Sequence, residues 1–267
     1  MGSWTLVWRF GRAAVFALVL VVAFQAPVPR SQPDVARSAS RADAAGQYTQ
    51  VSVGSQHSCA LTRSGKAVCW GANGSGQSRV PAGRYTQVSA GWDHSCALTR
   101  SGTAVCWGAN ESVQSRVPAG RYTQVSAGNY NSCALTRSGT AVCWGNNASG
   151  QTRVPAGQYT QVSAGSDHSC ALTRSGMAVC WGANGFGQTR VPAGRYTQVS
   201  AGWQHSCALT RSGKAVCWGF NRFGQTRVPA GRYTQVSAGR KHSCALTSSR
   251  SIVCWGLGAL VLPSGRS

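Results

Sequence analysis

The sequence predicts an all-β fold, a β-propeller of six 37-residue blades with three to four antiparallel strands in each. Three observations carry this. First, a block opening Y-T-Q-V-S-[AV]-G recurs at Tyr48, Tyr85, Tyr122, Tyr159, Tyr196 and Tyr233, at a fixed step of 37 residues. Periods in this range belong to propellers, solenoids and arrays. Second, each copy holds three short strand-like runs, T-Q-V-S-A, S-C-A-L-T and A-V-C-W-G, and none shows a 3.6-residue helical period. Third, the 267 residues include 33 Gly and 10 Trp but only 2 Met, a mix that suits short strands and tight turns. A β-solenoid competes on the repeat alone, but its rung is usually shorter and its ends are capped by dissimilar sequence.

In chain order, residues 1–26 read as a secretory signal. Arg9 and Arg12 supply the positive start, and Ala13 to Phe24 is an apolar run shorter than the roughly 20 residues of a membrane span. Cleavage after Ala23 fits better than after Ala26; an uncleaved anchor is the alternative. Residues 27–47, rich in Pro, Ser, Ala and Arg, read as a flexible linker. Residues 48–267 form the six-repeat propeller. Blade strands are covered on both faces by neighbouring blades, so C-A-L and A-V-C-W can be apolar without alternation. A short run Q-[ST]-R-V before each Pro is a candidate fourth strand.

The turn in each copy can be placed. Arg100-Ser101-Gly102 suits a three-residue hairpin loop with Gly in the left-handed position. That register sets Leu98 opposite Ala104, Ala97 opposite Val105 and Cys96 opposite Cys106. The twelve cysteines fall into six such pairs: Cys59 and Cys69, Cys96 and Cys106, Cys133 and Cys143, Cys170 and Cys180, Cys207 and Cys217, Cys244 and Cys254. An even count behind a signal peptide argues for disulfides, and opposed strand residues lie at bridgeable distance. Closing each small loop is worth roughly 2.8 kcal/mol in the chain-entropy account. Zinc is the alternative, but no C-x2-C knuckle is present and an oxidising compartment disfavours thiolates.

Hairpin topology also sorts the loops. The A-G-x-x-H loop and the W-G-x-N-x-x-G-Q loop lie at one end of each blade, and the R-S-G turn lies at the other. The turn is the same in five copies, whereas the x-x pair differs in every one: Ser55-Gln56, Trp92-Asp93, Asn129-Tyr130, Ser166-Asp167, Trp203-Gln204 and Arg240-Lys241. The second loop of that end varies too and brings Phe186 and Phe223. Aromatic side chains among scattered polar ones are interface chemistry, so Trp92, Asp93, Tyr130, Asp167, Phe186, Trp203, Gln204, Phe223, Arg240 and Lys241 are the candidate binding residues. Neutral drift in loops is the competing explanation.

Charge offers a second reading. With 26 Lys and Arg against 5 acidic residues the chain carries a formal +21. Arg63, Arg100, Arg137, Arg174 and Arg211 would ring the R-S-G end, with Arg84, Arg121, Arg195 and Arg232 beside them, and such a ring suits an anionic polymer of nucleic acid or cell envelope. Catalysis finds little support. His57, His94, His168, His205 and His242 occupy equivalent places, which points to a structural hydrogen bond. No nucleophile motif, phosphate-cradling loop or paired carboxylates occur. Neither a metal nor a cofactor is implied, nor a small-molecule substrate.

The pattern A-G-x-x-H-S-x-A-L-T-x-x-G-x-x-x-x-W-G-x-N-x-x-G-Q, followed by V-P-A-G, resembles the repeat of the regulator of chromosome condensation family over residues 48–267. It also resembles the family's secreted bacterial branch, which includes a propeller-shaped β-lactamase inhibitory protein. The resemblance implies a propeller, usually of seven blades where this chain shows six copies. The sixth is degenerate, with Arg250 in place of the turn Gly and a shortened end from Leu257 to Ser267. Ala44-Ala45-Gly46-Gln47 matches the end of a repeat and marks where a ring would close. The expected protein is a secreted monomer that binds another secreted or cell-surface protein, with binding of an anionic polymer as the alternative. A peptide mass map under non-reducing conditions should show each cysteine joined within its own repeat; free thiols at Cys96 and Cys106 would sink the staple argument.

Overall fold

The computed structural model describes residues 48–249 and 251–257. The signal, the linker, Arg250 and the stretch after Leu257 lie outside these residues. The first blade is β1 (Tyr48–Val53), β2 (His57–Thr62) and β3 (Ala67–Gly71), and the pattern repeats to the sixth, β16 (Tyr233–Ala238), β17 (His242–Thr247) and β18 (Ile252–Gly256). Each blade is a three-stranded antiparallel sheet in chain order. The first strands of successive blades touch one another, so they are innermost and the third strands lie at the rim.

The expected fourth run is not a strand. The Gln77 side chain accepts from the amide of Ser75 at 2.9 Å and closes a tight turn instead. Pro81, which has no amide proton to give a sheet, follows directly. Gln77 is buried and Val80 packs into the contact between blades.

The hairpin register is the one the sequence sets: Cys96 faces Cys106, Ala97 faces Val105 and Leu98 faces Ala104. The amide of Thr99 donates to the carbonyl of Thr103 at 2.9 Å across the turn, and Gly102 sits at φ 85°. All six blades carry one disulfide, within the repeat, and the described residues contain no free cysteine. At Cys96–Cys106 the Cα atoms are 4.0 Å apart, as at a narrow antiparallel pair.

Blades join through one junction built five times. The face of one blade made by Cys59, Leu61 and Ala67 packs on Tyr85, Val88, Ala90, Ala97 and Trp107 of the next. Polar groups lock the same contact. Gln50 accepts from the amide of Val88 at 2.9 Å and donates to its carbonyl at 3.0 Å, while Ser52 accepts from the amide of Ala90. The amide of Tyr85 donates to Gly65 of the preceding turn, and the Tyr85 hydroxyl donates to Pro81. Close approach explains one glycine: a Cβ on Gly91 would stand 2.4 Å from the carbonyl of Gly128.

Between the sixth blade and the first, no such apolar cluster forms among the described residues. Trp70 is 40% exposed where Trp107 is 8%, and Tyr48 is half-buried where Tyr85 is 4% exposed. Among the described residues, six repeats thus make five such junctions.

Four of the five equivalent histidines make a structural hydrogen bond across a junction. Nε2 of His57, His94, His168 and His205 shares a hydrogen bond of 2.7–2.8 Å with Ser95, Ser132, Ser206 and Ser243 of the next blade. Asn131 replaces His in the third blade and reaches Ser169 at 3.3 Å. Nδ1 of the same four histidines is buried without a hydrogen-bond partner. Burial holds His94 at about 3, with neighbouring His57 adding and the backbone of Asn129 opposing. Burial likewise holds His205 at about 3, with His168 and His242 adding, and His168 at about 4.

The sign follows from proton binding. These rings stay neutral in the fold but charge in the unfolded chain near 6.5, so stability is complete above that pH and falls as pH drops toward 3–4. With only 5 acidic residues, carboxylates add little to this slope. Urea midpoints should therefore fall between pH 7 and pH 4. In the triple variant His94→Asn, His168→Asn, His205→Asn they should fall much less, because Asn131 shows that an amide fits the place. Equal slopes in both proteins would contradict this account.

Candidate protein-binding face

The loops between first and second strands are tied backbone to backbone around the molecule. The amides of Ser55, Trp92, Asn129, Ser166 and Trp203 each donate to a glycine carbonyl of the next blade at 3.0–3.2 Å. In these five blades the main chain at the x-x positions is thereby fixed, and only the side chains differ from copy to copy. A rigid frame with variable side chains loses little conformational entropy when it binds.

At the middle of this face three of the predicted residues meet. The Arg240 guanidinium lies 4.8 Å from the Trp92 ring centroid and 4.7 Å from that of Trp203. Those indoles come from the second and fifth blades, so the stack bridges the face. Guanidinium groups stack well on indole because the ring face is negative and the cation is flat and weakly hydrated.

A second cluster lies nearer the rim. Phe186 packs edge-on to Phe220 at 4.9 Å, Phe220 to Phe223 at 5.9 Å, and the Lys241 ammonium sits 5.0 Å above Phe223. Sequence reasoning picked out Phe186, Phe223 and Lys241 but missed Phe220. The available signal was the residue after W-G, which is Ala or Asn in the four preceding copies and Phe only here.

The other predicted residues stand apart. Asp93 accepts from Gln77 at 3.4 Å, and burial, then the charge of Glu111, holds its carboxyl above the ordinary range. Asp167 accepts from the Ser166 hydroxyl at 3.1 Å. Tyr130 is 40% exposed. Gln204 lends its carbonyl to the amide of Phe220.

One backbone feature sequence reasoning did not single out is Val113. It has φ 65°, the only positive φ outside glycine among the described residues, where other copies place Gly76, Gly150, Gly187 and Gly224. A β-branched residue there is strained by about 1–3 kcal/mol. Its side chain is 48% exposed, so it gains no burial in return.

At the opposite end the turn arginines Arg63, Arg100, Arg137, Arg174 and Arg211 are exposed. The linker arginines each commit one N–H to the fold. Arg84, Arg121 and Arg195 donate to the carbonyls of Ser64, Ser101 and Ser175 at 2.8–3.1 Å, tying each linker to the preceding turn.

The fold and this face describe a binding propeller. The model of the regulator of chromosome condensation (RCC1) repeat matches residues 48–77, 85–114, 122–151, 159–188, 196–225 and 233–259, and the chain belongs to that family. Among solved structures it is similar to the ectodomain of the Physcomitrella patens receptor kinase CR4, with 27% identity and TM-score 0.70 over 80% of this chain. The chain spans 66% of that ectodomain. Prp20p of Saccharomyces cerevisiae, whose structure is described together with its binding to Gsp1p and histones, shares 20% identity at TM-score 0.69, over 79% of this chain and 72% of that one. Human WBSCR16 shares 18% at TM-score 0.68, over 79% and 77%. Among curated proteins none matches the chain.

Val113→Gly should raise the denaturation midpoint, by about 1 kcal/mol of stability after the entropic cost of glycine. An unchanged or lower midpoint would show that Val113 is not strained.

Proposed function

We propose that this chain is a secreted protein-binding propeller whose partner seats on the Trp92, Tyr130 and Trp203 face. The observation that carries the reading is the Trp92–Arg240–Trp203 stack. Three loops with different x-x pairs on the same frame converge to build it, while the strands of each blade are copied nearly unchanged. Aromatic and arginine side chains on a fixed backbone are the composition of binding hot spots. Six disulfides support an oxidising, extracellular setting. No described helix is long and apolar enough to cross a membrane. Blocking an extracellular enzyme is one form such binding takes. The chemistry proposed is recognition rather than catalysis.

The exposed turn arginines support the second reading, an anionic polymer bound at the opposite end. Salt separates the two, because phosphate-type contacts release counterions and weaken steeply with ionic strength. Partner capture from the native secretome should persist from low to high salt and disappear in the double variant Trp92→Ala, Trp203→Ala. Capture that collapses with salt and ignores the double variant would favour the polymer. Capture that ignores both would end both readings.

A further inference from the structure

We infer that the Arg240 slot is a carboxylate-recognition site, so that the partner offers an Asp or Glu side chain at its centre. This rests on the protein-binding reading above and names the chemistry of the partner at that face. Arg240 is exposed, and its contacts are with the two indole rings; among the described residues no hydrogen bond occupies its guanidinium. Its N–H donors are therefore oriented but unused. An arginine in water ordinarily samples many rotamers, and a partner must freeze them. Here Trp92 and Trp203 have already done so, which leaves a fork whose edge can be approached without that entropic cost.

The shape of the slot selects among anions. The guanidinium carbon lies over the faces of both indole rings, 4.8 and 4.7 Å from their centroids, so an acceptor comes to its N–H edge and not through the rings. A carboxylate is planar and pairs with that edge through two parallel hydrogen bonds. A tetrahedral phosphate carries further oxygens out of that plane, which a site walled by two indoles accommodates less well. Charge agrees. The three acidic residues of the described chain, Asp93, Glu111 and Asp167, all belong to loops at this end, and they repel a polyanion more than a single carboxylate. The opposite end, with its exposed arginines and no acid, is where a polyanion would go. Lys241, held over Phe223, adds a second cation beside the slot.

The probes are three blocked pentapeptides, Gly-Glu-Gly-Glu-Gly, its Gln counterpart and a phosphoserine counterpart, titrated into the full chain. The readout is the indole N–H resonances of Trp92 and Trp203, assigned from Trp92→Phe and Trp203→Phe. The Glu peptide should shift both resonances and saturate, with the Gln peptide at least about tenfold weaker. Arg240→Gln should abolish the effect, and Arg240→Lys should weaken it by about tenfold, because an ammonium keeps the charge but not the fork. An unchanged thermal melt for Arg240→Gln shows that the fold is intact. The inference fails if Glu and Gln peptides act alike, if phosphoserine acts more strongly than Glu at these resonances, or if Arg240→Gln still binds. Its failure is distinct from failure of the underlying reading. Partner capture lost in the Trp92→Ala, Trp203→Ala variant but kept in Arg240→Gln overturns the carboxylate alone. Capture kept in both overturns the face as well.

Discussion

The structure depends on the junction between consecutive blades. A three-stranded sheet of this size cannot bury both faces by itself, and isolated sheets this small are marginal in water. Each junction solves this with the same pieces: Cys, Leu and Ala of one blade against Tyr, Val and Trp of the next. The polar contacts, Gln to Val, Ser to Ala and His to Ser, then fix the relative height and tilt of the two sheets. Within a blade the disulfide holds the middle and outer strands in register. The staple thus belongs to the blade, and the histidine belongs to the contact between blades.

That division explains where variation is tolerated. Successive strand residues face the blade before and the blade after in turn, Ala97 one way and Cys96 and Leu98 the other, so a change at any of them disturbs a junction. The x-x residues keep their backbone bonds whatever their side chains: in the first five blades a glycine carbonyl of the next blade accepts from the first of the pair, and in all six the second accepts from the residue after W-G. Their side chains are free to differ, and they do. The result is a face with six differing positions on a frame that does not move with them. Val113 and Phe220 fit the same pattern. Each departs from the other copies at this end of the molecule, one at the cost of backbone strain and the other by completing an aromatic cluster.

Much of the fold was legible because its signals are local. The 37-residue step, the Arg-Ser-Gly turn and the facing cysteines follow from chain chemistry alone. The proposed fourth strand failed because a glutamine side chain, Gln77, folds back onto its own loop, which competes with sheet pairing in a way strand propensity does not register. A repeat period fixes the content of a blade but not the angle between blades. At the candidate face the variable residues could therefore be collected from sequence, but not the stack of Trp92, Arg240 and Trp203. Those three lie on the second, sixth and fifth blades, and only the packing of blade on blade brings them together. The linker arginines show the converse: read from sequence as part of a charged ring, they also serve as ties to the turn carbonyls.

The central claim is that the scaffold and the recognition face are separable. The most direct measurement compares the native chain with a variant in which every x-x pair from the second blade to the sixth is replaced by the Ser-Gln of Ser55-Gln56. Both are tested for urea denaturation and for capture of the native chain's partner. The account predicts nearly superimposable unfolding curves and complete loss of capture. Capture that survives the replacement, with the fold intact, would contradict it.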